Sequence, residues 1–311
     1  MNRREKLERL YLRFFAAPSD GTAAALFRFL FGGLALSQSL AIWLNLHRFW
    51  GHDGMIPFEV VARDKYLFLS PFFWAPKSEL VLVGHAVLFT AAAAAIFLGL
   101  RARIAAVVLA YVHMSLQYRN PFILNSGDRL FMIIAFLAAF MPLAQRFSVD
   151  SWLRTKKGIA PPAINMWGQR LVAIQIAYVY LNSFTAKVGN AVWYKGVALR
   201  EVLASPVFAE WPTYLQVGPL VWFMTYSTLV LELAFPLLVW FKRVRPYLLI
   251  SGVLFHLSID VMMVIPIFSY IMIASYPAFL TDAEATWLLE KIFRRKLAAP
   301  PLETEAAAPA G

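Results

Sequence analysis

The sequence predicts an all-α protein, a polytopic transmembrane helix bundle of about eight spans with interfacial helices at both ends. Three observations carry that expectation. Apolar residues fill 60% of the 311 positions and charged ones 15%, with a mean hydropathy of +0.61, a composition that a water-soluble domain of this size does not tolerate. The apolar residues gather into runs long enough to cross a bilayer. With the N-terminus placed inside, most of the 29 Lys and Arg fall in connections on the inner side of those runs, as the positive-inside rule requires.

Taken in order, the runs place spans near 22–46, 79–99, 103–118, 129–144, 167–187, 218–241, 246–265 and 266–281. Only Ile265 and Pro266 divide the last two, so the eighth is either a short span or a re-entrant segment. Before the first span, Leu7, Leu10, Tyr11 and Phe14 recur at helical spacing among Arg and Lys, the pattern of a helix lying in the headgroup layer. After the last, Thr281 and Glu284 form a capping box that opens a helix carrying Trp287, Leu288 and Ile292 opposite a basic cluster. An Ala/Pro-rich, disordered tail follows. The chain thus divides into a basic amphipathic segment (1–21), a membrane domain (22–282) and an amphipathic helix with its tail (283–311). Both termini are expected on the cytoplasmic side. Two outer segments, 47–78 and 188–217, are rich in aromatic residues and Pro; they read either as an interfacial belt or as a lid, and 196–203 as one or two helical turns on the membrane surface.

Several function classes are excluded at this stage. The absence of cysteine removes disulfides, thiolate nucleophiles and iron–sulfur clusters. The net charge of +11 is scattered over loops rather than gathered on one face, so nucleic acid is not an expected partner. The five histidines show no metal-binding spacing, and no metal is expected. No internal repeat is legible, which argues against an inverted-repeat transporter. The expected partners are membrane lipid and a molecule that is either lipid-soluble or delivered from outside.

The ionisable residues inside the membrane are the candidates for function. Lys187 ends the uncharged run 171–186, which as a helix covers roughly 24 Å and sets the amine near the far edge of the hydrocarbon layer. It is either a lysine snorkelling to the headgroups or a functional base. Asp128, His85 and His113 belong to the same leaflet. His256 and Asp260 lie one helical turn apart and can share a face, a spacing that suits proton transfer or a structural hydrogen bond equally. Arg28 and Glu232 are expected to pair across the bundle, outside the site.

Three segments together resemble a known family. The first, SLQYRNPFILNSGDRLFMIIAFLAAFMPLAQRFSVD (115–150), contains Arg119, Asn120 and Pro121, then Gly127 and Asp128, then a helix ending before Ser148, Val149 and Asp150. In the second, VYLNSFTAKVGNAVWYKG (179–196), Lys187 is followed by Trp193 and Gly196. The third, FHLSIDVMMVIPIFSYIMIASYPAF (255–279), holds Phe255 with His256 and Phe268 to Tyr270. They resemble the membrane domain shared by vitamin K-dependent γ-carboxylases and bacterial HTTM (horizontally transferred transmembrane) proteins, over about 22–282.

That resemblance implies a bacterial inner-membrane protein whose outward-facing pocket takes a quinone or hydroquinone. Lys187 would be the base that deprotonates the hydroquinone, supported by His256 and Asp260, with Asp128, Arg119, Asn120, His113, Trp193 and Tyr270 as substrate-binding candidates. The enzyme class implied is a quinol-linked oxidoreductase or a carboxylase-like lyase. The carboxylases carry a His-Ser-Tyr element where Gly127, Asp128 and Arg129 stand here, and they continue into a large soluble domain, so carboxylation of a protein glutamate is not the expected activity. The bacterial side of the resemblance implies the alternative: a membrane accessory factor for maturation or export of a secreted peptide.

Overall fold

The computed structural model describes residues 2–62, 67–205, 218–263, 265 and 267–297. Helices dominate, in the order α1 (Arg3–Phe15), α2 (Thr22–Trp50), α3 (Phe58–Val61), α4 (Pro71–Trp74), α5 (Glu79–Leu98), α6 (Ala102–Arg119), α7 (Ser126–Ala138), α8 (Val149–Lys156), α9 (Trp167–Val188), α10 (Ala191–Tyr194), α11 (Ala198–Leu203), α12 (Gly218–Leu238), α13 (Arg245–Met263), α14 (Phe268–Ser275) and α15 (Asp282–Phe293). The short strands β1 (Pro18–Ser19) and β2 (Ile164–Asn165) pair antiparallel.

Among the described residues five helices are long and apolar enough to cross a membrane: α2, α5, α9, α12 and α13. This is fewer than the expected eight. Arg103, His113, Gln117 and Arg119 make α6 more polar than its apolar first half suggests, α7 ends after 13 residues, and α14 has only 8. A run of apolar residues fixes neither where the helical hydrogen bonds stop nor how much of the run is helix. The helical turns expected on 196–203 are present as α11, and the expected capping box opens α15. The remainder of the 188–217 segment, 206–217, lies outside the described residues.

Two compact units divide the chain: Met1–Leu124 with Phe131–Val172 and Leu280–Gly311, and Asn125–Leu130 with Ala173–Phe279. In the first unit α2 packs on α5, and α5 on α6. Small residues allow that approach: a Cβ added at Gly32 would lie 2.8 Å from the backbone of Phe97, and Ala92, Ala93 and Ala106 are buried. Stacked rings of Phe27, Phe31, Phe89 and Phe131 fill the remaining space.

Buried polar groups in this unit serve as ties. Arg28, fully buried in α2, donates to the carbonyls of Phe97 and Ile96 and, at 2.5 Å, to that of Phe147. The first two belong to the C-terminal turn of α5, where carbonyls lack helical partners and a cation meets the negative end of the dipole. Gly99 closes that helix at φ 73°. Asp282 gathers the chain ends: it accepts from Ser19 Oγ at 2.7 Å, from the Asp20 amide at 2.8 Å and from the Ala23 amide at 2.9 Å. The second unit holds α9 from Ala173 onward and α10 to α14, with α11 and α14 packed on α12 and α13 respectively, and α12 on α13.

Candidate functional site

Lys187 stands in the last turn of α9, and the chain then turns through Asn190, whose side chain caps α10 by accepting from the Val192 amide at 3.1 Å. That short helix brings the Trp193 ring to 5.1 Å from the Lys187 Nζ, within cation–π range. The connection is held on α12: Tyr226 donates to the Tyr194 carbonyl at 2.8 Å, and Gly196, at φ 74°, lies so close to the Tyr226 and Trp222 rings that a Cβ would come within 3.0 Å of each. Local turn chemistry therefore aims the amine back along its own unit.

Its partner is Glu232, on α12. Lys187 Nζ donates to Glu232 Oε1 at 2.6 Å, with the lysine side chain 23% exposed and the glutamate 4%. A carboxylate this buried needs its counter-charge, because desolvation otherwise penalises the ionised form. Four residues on, Pro236 has no amide to give to the Glu232 carbonyl, so α12 lacks one helical hydrogen bond at this level. The second carboxylate oxygen, Oε2, is buried and has no hydrogen-bond partner among the described residues.

Two turns further back along α9, Tyr180 lies seven residues before Lys187 and so on the same helix face. Its hydroxyl is 2.9 Å from His256 Nε2 and 2.6 Å from the Tyr276 hydroxyl, and all three side chains are buried. The Tyr180 ring stacks on Phe235 at 4.1 Å. Gly252 makes room for the pair of hydroxyls, since any Cβ there would collide with Tyr276. His256 Nδ1, like Glu232 Oε2, is buried without a partner.

These groups surround one cavity of about 300 Å³. Lys187, Glu232, His256, Tyr180 and Trp193 line it, together with Phe255, Ile259, Met262, Phe268 and Met272. It is an apolar chamber with a few convergent polar atoms, the composition typical of sites for small apolar ligands. The flexible methionines suit an adaptable fit.

Of the residues expected from sequence, the structure brings Lys187, His256 and Trp193 together. Asp260 is elsewhere: its Oδ2 accepts from Tyr270 at 2.6 Å near the surface, neither residue lines the cavity, and no bond joins Asp260 to His256. Sharing a helix face did not bring the two side chains into contact.

Arg119 and Asn120 are spent on architecture. Arg119 donates to the carbonyls of Gly51 and, at 3.1 Å, Ile56, while Asn120 Nδ2 donates to the Phe49 carbonyl at 2.8 Å. His113 sits in an aromatic cluster with Phe89 and Phe131, and His85 is engaged at both nitrogens, by the Val81 carbonyl at 2.6 Å and Ser115 Oγ at 2.8 Å. Asp128 and Asn125 cap the start of α7 reciprocally: Asp128 Oδ2 accepts from the Asn125 amide, and Asn125 Oδ1 from the amides of Gly127 and Asp128.

The expected pairing of Arg28 with Glu232 is replaced by carbonyl ties for the one and Lys187 for the other. Glu232 and Tyr180 are two lining residues that the sequence did not assign to the site. Seven-residue spacing to Lys187 was the available signal for Tyr180, and for Glu232 it was an acidic residue followed by a helix-breaking proline. No group of three or more potential metal ligands occurs among the described residues.

Fold and site together define a multi-pass helical membrane protein with an ion pair built into an apolar chamber. The chain belongs to the HTTM domain family, whose model matches residues 16–287 and so spans all three of the motif-bearing segments. No solved structure matches it.

Proposed function

We propose that this protein binds a quinone-like lipid, in its quinone or hydroquinone form, in the chamber of the second unit, and that the Lys187–Glu232 pair is its proton-accepting element. One observation carries the reading: a part-buried lysine–carboxylate pair, a buried imidazole and an indole converge on a single apolar cavity. Such a chamber has apolar walls for a ring and polar atoms for the oxygens on it. A bound hydroquinone supplies an ionisable hydroxyl. Lys187 holds positive charge where an oxyanion would form, and Trp193 keeps the amine in place. Tyr180 and Tyr276 fix the His256 ring through Nε2, leaving Nδ1 as the nitrogen available to a ligand. No role is proposed for Asp260, whose carboxylate is occupied by Tyr270.

The proposal includes a place in the bacterial inner membrane, with both termini cytoplasmic and the chamber facing outward, on the basic-residue asymmetry of the connections. The alternative of an accessory factor for a secreted peptide has less support. A peptide backbone would need partners for each buried amide, and the apolar lining offers few.

Solvent extraction of protein purified from bacterial membranes, followed by mass spectrometry, should release menaquinone or ubiquinone, and Lys187→Ala with unchanged folding should release several-fold less. Equal retention by the variant, or lipid extracts without quinone, would remove the reading.

A further inference from the structure

We propose that the second carboxylate oxygen of Glu232, rather than the amine of Lys187, receives a ligand hydroxyl, so that the chamber selects the reduced, hydroxyl-bearing form of a quinoid molecule over the oxidised one. This rests on the quinoid reading above and adds to it a polarity. In the ion pair the lysine is an ammonium, with hydrogens to give and no lone pair to accept with. Glu232 divides its two oxygens: Oε1 takes the lysine hydrogen at 2.6 Å, and Oε2 is buried, unpartnered and part of a side chain that lines the cavity. A carboxylate oxygen only accepts.

Its natural complement is a donor, and the hydroxyl of a hydroquinone is one. A quinone carbonyl is not. It takes a hydrogen from Lys187 but leaves Oε2 unsatisfied and sets two acceptor oxygens against one another, an arrangement that is unfavourable in a dry site. His256 does not make the same distinction. Its Nε2 is held by Tyr180, and its Nδ1 gives or takes a hydrogen according to the tautomer. Discrimination therefore falls to Glu232, with Lys187 as the positioning residue that fixes which oxygen is free.

The same arrangement orders a proton transfer. A hydroxyl held on Oε2 gives its proton to the carboxylate and the O–H bond pair stays on the ligand oxygen; the ligand oxyanion then carries the negative charge that Glu232 gives up, so with the Lys187 ammonium the net charge of the chamber is unchanged. No oxidant is involved in that step.

The test uses the full chain in lipid nanodiscs, with protein-free nanodiscs as the blank, and three probes: menadiol kept reduced under argon, menadione, and the dimethyl ether of menadiol. Menadiol should bind at least about tenfold tighter than the other two, the difference expected for one hydrogen bond to a charged acceptor. Glu232→Gln, which sets an amide at this position, should bring menadiol down to the level of menadione. Equal affinity for the three probes in the unaltered protein, or a full menadiol preference in Glu232→Gln, overturns the proposal and leaves the quinoid reading standing. Failure of all three probes to bind above the blank removes the quinoid reading itself. The ether comparison needs no variant, so it decides even where Glu232→Gln does not fold.

Discussion

Arg28 and Lys187 are both cations inside apolar helical units, yet their surroundings differ in one respect. Arg28 gives the hydrogens of its two terminal nitrogens to backbone carbonyls of Ile96, Phe97 and Phe147 and closes the end of α5; its Nε is also buried without a partner among the described residues, but Arg28 does not line the chamber. Lys187 meets a single oxygen of Glu232, and among the described residues the other Glu232 oxygen and the Nδ1 of His256 are buried without partners on two side chains that line the cavity. Buried charge by itself therefore does not mark function in this protein. Unsatisfied hydrogen-bonding capacity on residues that line a cavity is what supports the proposed site, because a buried polar atom without a partner raises the free energy of the folded chain unless something binds there.

The sharpest way to break the comparison is to remove each cation. Arg28→Met strands the carbonyls of Phe97 and Phe147, each costing on the order of 1–3 kcal/mol, and should lower the stability to unfolding in detergent by the largest margin of any substitution considered, on the order of 3 kcal/mol or more. An Arg28→Met protein as stable as its parent would show that the tie is dispensable.

Lys187→Met comes next. Removing one partner of a buried pair costs about 3–5 kcal/mol in a closed interior, and with the amine 23% exposed here a smaller loss of about 1–3 kcal/mol is expected. The double variant Lys187→Met/Glu232→Leu should recover most of that stability without recovering ligand binding. A double variant that binds quinoid probes normally would move the site elsewhere.

A smaller effect sharpens the comparison within the second unit. Tyr180→Phe deletes the hydroxyl shared by His256 and Tyr276 and should cost about 1–2 kcal/mol, with weaker binding because the imidazole is no longer oriented; calorimetry and the probe assay read the two effects separately. Asp260→Asn should change stability by no more than about 0.5 kcal/mol and leave binding unaltered, since its bond to Tyr270 is exposed. A strong loss of binding in Asp260→Asn would restore it to the site.

Much of this was legible in the residues. The membrane class, the caps at Thr281 and Glu284, the turn at 196–203 and the family all follow from composition and local motifs. The site was legible only in part. Lys187, His256 and Trp193 meet as expected, whereas Arg119, Asn120 and His113 are absorbed into packing, and Glu232 changes partners.

The sequence by itself determined the membrane class and local geometry: apolar runs give helices long enough to cross a bilayer, and capping chemistry closes or opens a helix, both through neighbours a few positions away. Tertiary structure decided which cation faces which carboxylate and which polar atoms stay unpaired. That choice depends on how each helix is turned about its axis and which helix it packs against. Residues far apart in the chain set both, so no window of sequence contains the answer.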